Sequence, residues 1–178
     1  TTLLANTALG LGLEVTSGEI HGMAQRGGVV ESTVLLGGWL SPKISHGEAD
    51  VLLGFEPLET LRAMPYLAKG GTVVSSSEPV PPVAVAMGKA VYPNLEELEA
   101  TVSDCAGKAF FLPCRTLGLE AGAVQCGNMA LLGAACATGV LPISVEDFKE
   151  GLKANLRPKL VDMNLKAVDL GVQAVSEA

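Results

Sequence analysis

Aromatic residues are scarce in this 178-residue chain, which has one Trp, two Tyr and four Phe, 4% of the whole. Charge is scarce too, at 17% against the ~25% of an average soluble domain. Cations are the scarcer sign: twelve Lys+Arg stand against nineteen Asp+Glu, for a net charge of -7. Such a chain lacks the basic footprint of a nucleic-acid binder and is repelled by anionic membrane surfaces, so neither partner is expected. Long apolar runs are missing as well. The richest stretch, residues 117–140, is interrupted by Glu120, Gln125 and Asn128 and carries five glycines. A spanning helix needs ~20 predominantly apolar residues, so this stretch reads as one buried helix. No basic segment followed by an apolar core and a cleavage site opens the chain, and a cytoplasmic location is expected. The four cysteines, Cys105, Cys114, Cys126 and Cys136, are 9, 12 and 10 residues apart. Without a C-x-x-C pair, no zinc ribbon or iron–sulfur cluster is expected within this chain, and no metal site. The cysteines read as reduced thiols, some of them in the core.

What the chain has in quantity is aliphatic: 48% of it is hydrophobic and 21 residues are glycine, with a mean hydropathy of +0.39. That excludes disorder. A chain of this length buries on the order of 70% of its unfolded surface, enough for a single domain spanning 1–178. Leu3, Leu4, Thr7, Ala8 and Leu11 have helical spacing, cut short by Gly10 and Gly12. Residues 13–17 and 29–36 read as strands, the second rich in β-branched residues and stopped by Gly37-Gly38. Asp50-Val-Leu-Leu-Gly-Phe55 is a continuous apolar run suited to a strand covered on both faces. Pro57 then opens a helix with Leu58, Leu61, Met64 and Leu67 on one face, closed by Gly70-Gly71, and residues 72–75 form the next strand. Residues 50–75 thus read as a βαβ unit. Asn94 with Glu97, and Ser144 with Asp147, have capping-box spacing at the starts of two more helices. Pro158 opens the last helix, so residues 144–174 form a helical segment. Glu78-Pro-Val-Pro-Pro82 reads as an edge or loop excursion. The alternation predicts an α/β three-layer, Rossmann-like domain with a mostly parallel or mixed central sheet. The small residues Gly133, Ala134, Ala135 and Ala137 predict close packing of one helix face, on another helix or on another subunit.

The chemistry concentrates in Glu19-Ile-His-Gly-Met-Ala-Gln-Arg-Gly-Gly28. It follows a strand, so it could occupy the carboxyl end where open α/β sheets bind ligands. Arg26 offers a planar fork to a carboxylate or phosphate. Gly27-Gly28 can turn N–H groups toward an anion, and His21 titrates near neutrality and could transfer a proton. The plainer reading is a capped surface turn, and composition alone weighs the two evenly. Glu56, between the buried strand and its helix, could meet a ligand hydroxyl, but it also suits a helix N-terminus electrostatically, and that second reading is preferred. Asn128 reads as an N-cap before it reads as a binding residue, and His46 as a loop histidine. No P-loop, H-E-x-x-H, G-x-S-x-G or complete G-x-G-x-x-G occurs.

The run His21-Gly-Met-Ala-Gln-Arg-Gly-Gly28 resembles the hallmark of the gamma component, or catalytic domain III, of the 2-oxoacid:ferredoxin oxidoreductases, which include pyruvate, 2-oxoglutarate, 2-oxoisovalerate and indolepyruvate enzymes. The resemblance continues in order through Ala49-Asp-Val-Leu-Leu-Gly-Phe-Glu-Pro-Leu-Glu59, Gly70-Gly-Thr-Val-Val74, Gly127-Asn-Met-Ala-Leu-Leu-Gly133 and Lys166-Ala-Val-Asp-Leu-Gly171. The strand and Gly-x-Gly-Gly-Gln-Gly turn with which that family opens have no counterpart in residues 1–178, where Thr1-Thr-Leu-Leu-Ala5 resembles the segment after the turn. Coenzyme A or phosphate contacts of that turn are therefore not carried over.

The resemblance implies oxidative decarboxylation of a 2-oxo acid to an acyl-CoA and CO2, with coenzyme A as co-substrate and ferredoxin as electron acceptor. Thiamine diphosphate and iron–sulfur clusters would belong to alpha, beta and ferredoxin-like delta partners, leaving this chain to position and bind. It implies positioning roles for His21, Gln25 and Arg26, and cofactor-binding roles for Gly22, Met23, Gly27, Gly28, Glu56 and Asn128. The isolated chain is expected to be inactive and could form a homodimer. Two other classes stand beside this one: an independent nucleotide- or coenzyme A-binding module, and a non-catalytic scaffold subunit.

Overall fold

The computed structural model describes residues 1–21 and 30–177, with the backbone alone for His21. In chain order these form α1 (Thr2–Gly10), β1 (Val15–His21), β2 (Val30–Leu36), β3 (Ala49–Gly54), α2 (Pro57–Ala63), β4 (Leu67–Ser76), α3 (Val83–Ala86), α4 (Leu95–Cys105), β5 (Lys108–Leu112), α5 (Cys114–Ala121), α6 (Gly127–Ala137), α7 (Val145–Asn155) and α8 (Pro158–Ser176).

β3, β4 and β5 make a parallel sheet in the order β3-β4-β5, so the expected βαβ unit is present as β3-α2-β4. The period-two alternation of β4 sorts its core into two layers. Val73, with Leu52, Ala109 and Phe111, packs beneath Leu58, Leu61, Leu98 and Val102 of α2 and α4. Its neighbour Val74, with Leu53, Phe110 and Leu112, faces Leu131, Ala134 and Ala135 of α6. The small-residue face of α6 lies against α8. A methyl on Gly171 would land on the Ala130 carbonyl, and one on Gly133 would meet the Val168 backbone at 2.8 Å. Beyond α6, Phe148 and Leu152 of α7 close a further core with Leu4 and Ala8 of α1.

Both predicted capping positions are used: the Asn94 side chain accepts from Glu97 N, and Ser144 and Asp147 form a reciprocal box. Five expectations need correction. The helix drawn through Leu67 ends at Ala63 and tightens into a 3₁₀ turn, Met64–Tyr66; Pro65 has no N–H to continue the ladder, and Leu67 instead opens β4. The richest apolar stretch is two helices, broken at Gly122, whose φ is +132°. Asn128 is not an N-cap: Cys126 holds that position of α6, and no side chain caps it. β5 went unpredicted, although Ala-Phe-Phe-Leu between Gly107 and Pro113 is a short apolar run bounded by breakers. Finally, β1 does not belong to the parallel sheet. It pairs antiparallel with β2 as a separate two-stranded sheet, from Val15↔Leu36 to His21↔Val30.

Candidate functional site

The hairpin β1-β2 carries the motif. One face is anchored at its base, where Val15, Val34 and Leu36 pack with Leu13 against the α1/α7 core. The opposite face is covered by residues 39–42. The Thr33 hydroxyl donates to the Pro42 carbonyl at 2.6 Å and Trp39 Nε1 donates to the Leu36 carbonyl at 3.1 Å, while the Thr16 hydroxyl donates to the Trp39 carbonyl. Gly18 allows this cover, since a β-carbon there would stand 2.7 Å from Pro42 Cβ. Toward the far end the anchoring stops: Glu19, Ile20, Val30, Glu31 and Ser32 are exposed. His21 and Val30 are the last paired positions, and residues 22–29 join them. Gly22, Met23, Gln25, Arg26, Gly27 and Gly28, with the His21 side chain, lie outside the described residues. The motif is not at the carboxyl end of a parallel strand as expected, because β1 and β2 form an antiparallel hairpin in a sheet of their own.

The carboxyl edge of the parallel sheet is built from other groups. Glu56 is the N-cap of α2, accepting from Glu59 N at 3.0 Å through Oε2. Its Oε1 accepts from Val80 N at 3.3 Å and from the Tyr92 hydroxyl. Burial, then the hydrogen bond to Glu56 and its charge, push the Tyr92 phenol well above its ordinary value, so it donates at neutral pH. A ligand hydroxyl reaching Glu56 would have to displace these donors. Just below, the Thr60 and Ser75 hydroxyls meet at 2.7 Å, and Thr60 also donates to the Glu56 carbonyl at 2.9 Å.

Glu78, which sequence reasoning passed over, sits at the start of α5. Its carboxylate accepts from Thr116 N at 3.0 Å and from the Thr116 hydroxyl at 2.6 Å. Burial opposes its ionisation, but these bonds and nearby Arg115 outweigh it and hold the carboxyl below its ordinary value. The only sequence signal for this contact is a Thr three positions after Pro113, at a helix start.

The buried thiols are not poised for chemistry. Burial raises Cys114 to about 11 and Cys136 to about 12, and raises Cys126 as well; a thiol must ionise to act as a nucleophile or ligand. Among the described residues no three His, Cys, Asp or Glu side chains come together as a metal site, and no helix is long and apolar enough to cross a membrane. His46 lies edge-on to Tyr66, ring centres 5.0 Å apart, as a loop histidine. Asn128 is exposed in the first turn of α6.

Residues 1–174 match the pyruvate ferredoxin/flavodoxin oxidoreductase family. The chain belongs to that family. It is 44% identical over 177 residues to indolepyruvate oxidoreductase subunit IorB of Pyrococcus horikoshii, covering 98% of this chain and 88% of that protein. It is 35% identical over 176 residues to the IorB subunit of Methanothermobacter thermautotrophicus, covering 99% and 90%. The fold is that of the keto/oxoacid ferredoxin oxidoreductase gamma subunit from Geobacter sulfurreducens, with a TM-score of 0.67 at 19% identity over 99% of this chain and 89% of that one. Pyruvate oxidoreductase subunit PORC from Thermotoga maritima gives 0.66 at 18% identity, over 97% and 86%. Within the family, this chain is a gamma-type component of a 2-oxoacid:ferredoxin oxidoreductase.

Proposed function

We propose that this cytoplasmic subunit completes the active site of an enzyme that converts an aryl pyruvate of the indolepyruvate kind to its acyl-CoA and CO2, with ferredoxin reduced. The substrate class is supported by four relatives that are indolepyruvate oxidoreductase subunits. Thiamine diphosphate and iron–sulfur clusters, held by alpha, beta and delta-type partners, supply the carbanion and the electron path. This chain's own part is to bind and orient. Arg26 and the Gly27-Gly28 amides face an anionic group of the oxo acid or of coenzyme A, a bidentate or multidentate task for which a guanidinium and unencumbered N–H groups are suited. His21 and Gln25 hydrogen-bond the same substrates beside them.

The observation that carries this reading is the hairpin itself. Its base is fixed by core packing and by the 39–42 cover, while its far half is exposed. A two-stranded arm fixed at one end and bearing a polar, glycine-rich motif at the other is suited to reaching a site that a partner shares.

The test is Arg26→Ala in the assembled enzyme, assayed with indolepyruvate, phenylpyruvate, pyruvate and 2-oxoglutarate. A raised KM for the oxo acid or for coenzyme A, with the aryl substrates turned over fastest, is expected. Unchanged kinetics would overturn the role of the loop, and preference for pyruvate or 2-oxoglutarate would overturn the substrate class.

A further inference from the structure

At the end of β2 two glycines turn the chain back on itself. Gly37 has φ +108° and Gly38 φ +81°, a conformation that residues with a side chain rarely adopt. The Gly37 amide fixes the turn by donating to the Glu14 carbonyl at 3.0 Å. Residues 39–42 therefore run back over the hairpin face that bears Thr16, Gly18 and Thr33. A cover that stabilises its strands by the hydrophobic effect buries apolar side chains, and this one leaves them outside: Trp39 is 60% exposed and Leu40 fully exposed. What joins it to the hairpin is polar. The half-buried Thr16 hydroxyl donates to the Trp39 carbonyl, and the half-buried Thr33 hydroxyl donates to the Pro42 carbonyl at 2.6 Å. Thr16 pairs with Leu35 and Gly18 with Thr33, so the two hydroxyls grip one face two rungs apart. Beyond the rung Gly18↔Thr33 come three more, Glu19↔Ser32, Ile20↔Glu31 and His21↔Val30, a rise of about 10 Å. A two-stranded ribbon is marginally stable by itself, and a tilt of about 10° at the gripped rung moves the far end by roughly 2 Å over that rise.

We infer that Thr16 and Thr33 are positioning residues, whose hydroxyls latch the hairpin to residues 39–42 and so set the direction in which it presents residues 22–29. The inference rests on the reading of that segment as the group that binds the oxo acid or coenzyme A. Thr33 stands three rungs from the last pair and Thr16 five, so each acts through the strands. A misplacement of about 1 Å in a binding group can cost on the order of a hundredfold in rate, which makes the latch matter more to binding than to folding.

The experiment compares two double variants in the assembled enzyme, Thr16→Val/Thr33→Val and Thr16→Ser/Thr33→Ser. Valine keeps the β-branch and removes the donor, whereas serine keeps the donor and lowers strand propensity. A role in strand stability alone would therefore harm the serine variant more, and a latch would harm the valine variant more. The valine double variant should raise KM for the oxo acid or coenzyme A about fivefold, with kcat within about twofold of wild type. The serine double variant should stay near wild type, and Thr33→Val alone should raise KM about twofold. Thr101→Val is the control, since its hydroxyl also donates to a backbone carbonyl, that of Glu97 at 2.7 Å, but on α4; it should leave KM alone. In the free chain the single tryptophan, Trp39, reports the latch directly: acrylamide should quench its fluorescence more readily in the valine double variant and not in the serine one. Unchanged quenching in the valine variant overturns the latch. A wild-type KM in that variant, with Arg26→Ala still raising KM, overturns the positioning role and leaves the reading of residues 22–29 intact. A KM raised as much by serine as by valine also overturns it. Unchanged kinetics for Arg26→Ala overturns that reading and this inference together.

Discussion

Two regions of this molecule concentrate polar side chains, and they are organised in opposite ways. At the carboxyl edge of the parallel sheet, Glu56, Thr60, Ser75, Tyr92, Glu78 and Thr116 bond to one another and to backbone. Their hydrogen bonds are directed inward, at the starts of α2 and α5 and along residues 79–94. On the hairpin, packing is spent at the base, and the motif lies at the other end, past the last anchored pair. Open α/β sheets commonly bind ligands at the carboxyl edge. Here that edge is occupied by its own structure, and the motif read by resemblance is carried by a hairpin in a separate sheet. The bonded carboxyl edge and the hairpin that carries residues 22–29 are therefore separate places in the fold.

A pair of variants read in two assays separates the two regions most strongly. Arg26→Ala removes a charged hydrogen-bond partner, and kcat/KM of the assembled enzyme should fall about a hundredfold with the melting temperature unchanged. Glu56→Ala should do the reverse. It removes the α2 N-cap and leaves Tyr92 and Val80 N without their acceptor, for a loss of about 2–3 kcal/mol in unfolding free energy, while KM per folded enzyme stays the same. A large KM effect from Glu56→Ala would return the binding role to the sheet edge.

A smaller effect sharpens the hairpin side. Gly18 lies midway along β1, where the 39–42 cover crosses closely enough that any β-carbon meets Pro42. Gly18→Ala should cost about 1–2 kcal/mol of stability and shift the hairpin against its cover. Because the motif is carried on that hairpin, KM should also rise severalfold, whereas Gly10→Ala, with open space around its Cα, should leave KM alone. Equal kinetics for the two alanine variants would mean that the setting of the hairpin does not matter to the site.

These contrasts also mark how far the sequence could be read. The βαβ unit, both capping positions and the close face of α6 were legible because each depends on residues a few positions apart: Pro57 at a helix start, Ser144 with Asp147, glycine and alanine at helical spacing. Reading failed where distant partners decide. Nothing local says that β1 pairs only with β2 and leaves the sheet, since a strand's neighbours are chosen by the whole fold. Glu56 was legible as a helix-start carboxylate. That it also holds Tyr92, 36 residues later, and that Glu78 reaches Thr116 across 38, are products of tertiary contact. Leu67 shows local competition instead, as its helical spacing is overridden by Pro65. The motif of residues 21–28 was legible by resemblance alone, because its composition permits a surface turn as readily as a site.

The smallest predicted effect concerns that second carboxylate. Glu78 has its folded pKa held below its ordinary value of 4.5, since the Thr116 hydroxyl and amide and the Arg115 charge together outweigh burial. Its contribution to stability is therefore fully present above pH 4.5 and is lost as pH falls through the folded value. Asp147 behaves the same way, held down by the hydroxyl and amide of Ser144. Melting temperature should consequently fall with acidification below the ordinary carboxylate range, and Glu78→Gln should make that fall shallower without abolishing it, since the Asp147 share remains. Thr116→Val should reproduce much of the Glu78→Gln effect, because it removes the hydroxyl while keeping the amide. If either variant instead shifts the pH profile of turnover near neutrality, where Glu78 is ionised throughout, the carboxyl edge takes part in catalysis and the separation between the two regions fails.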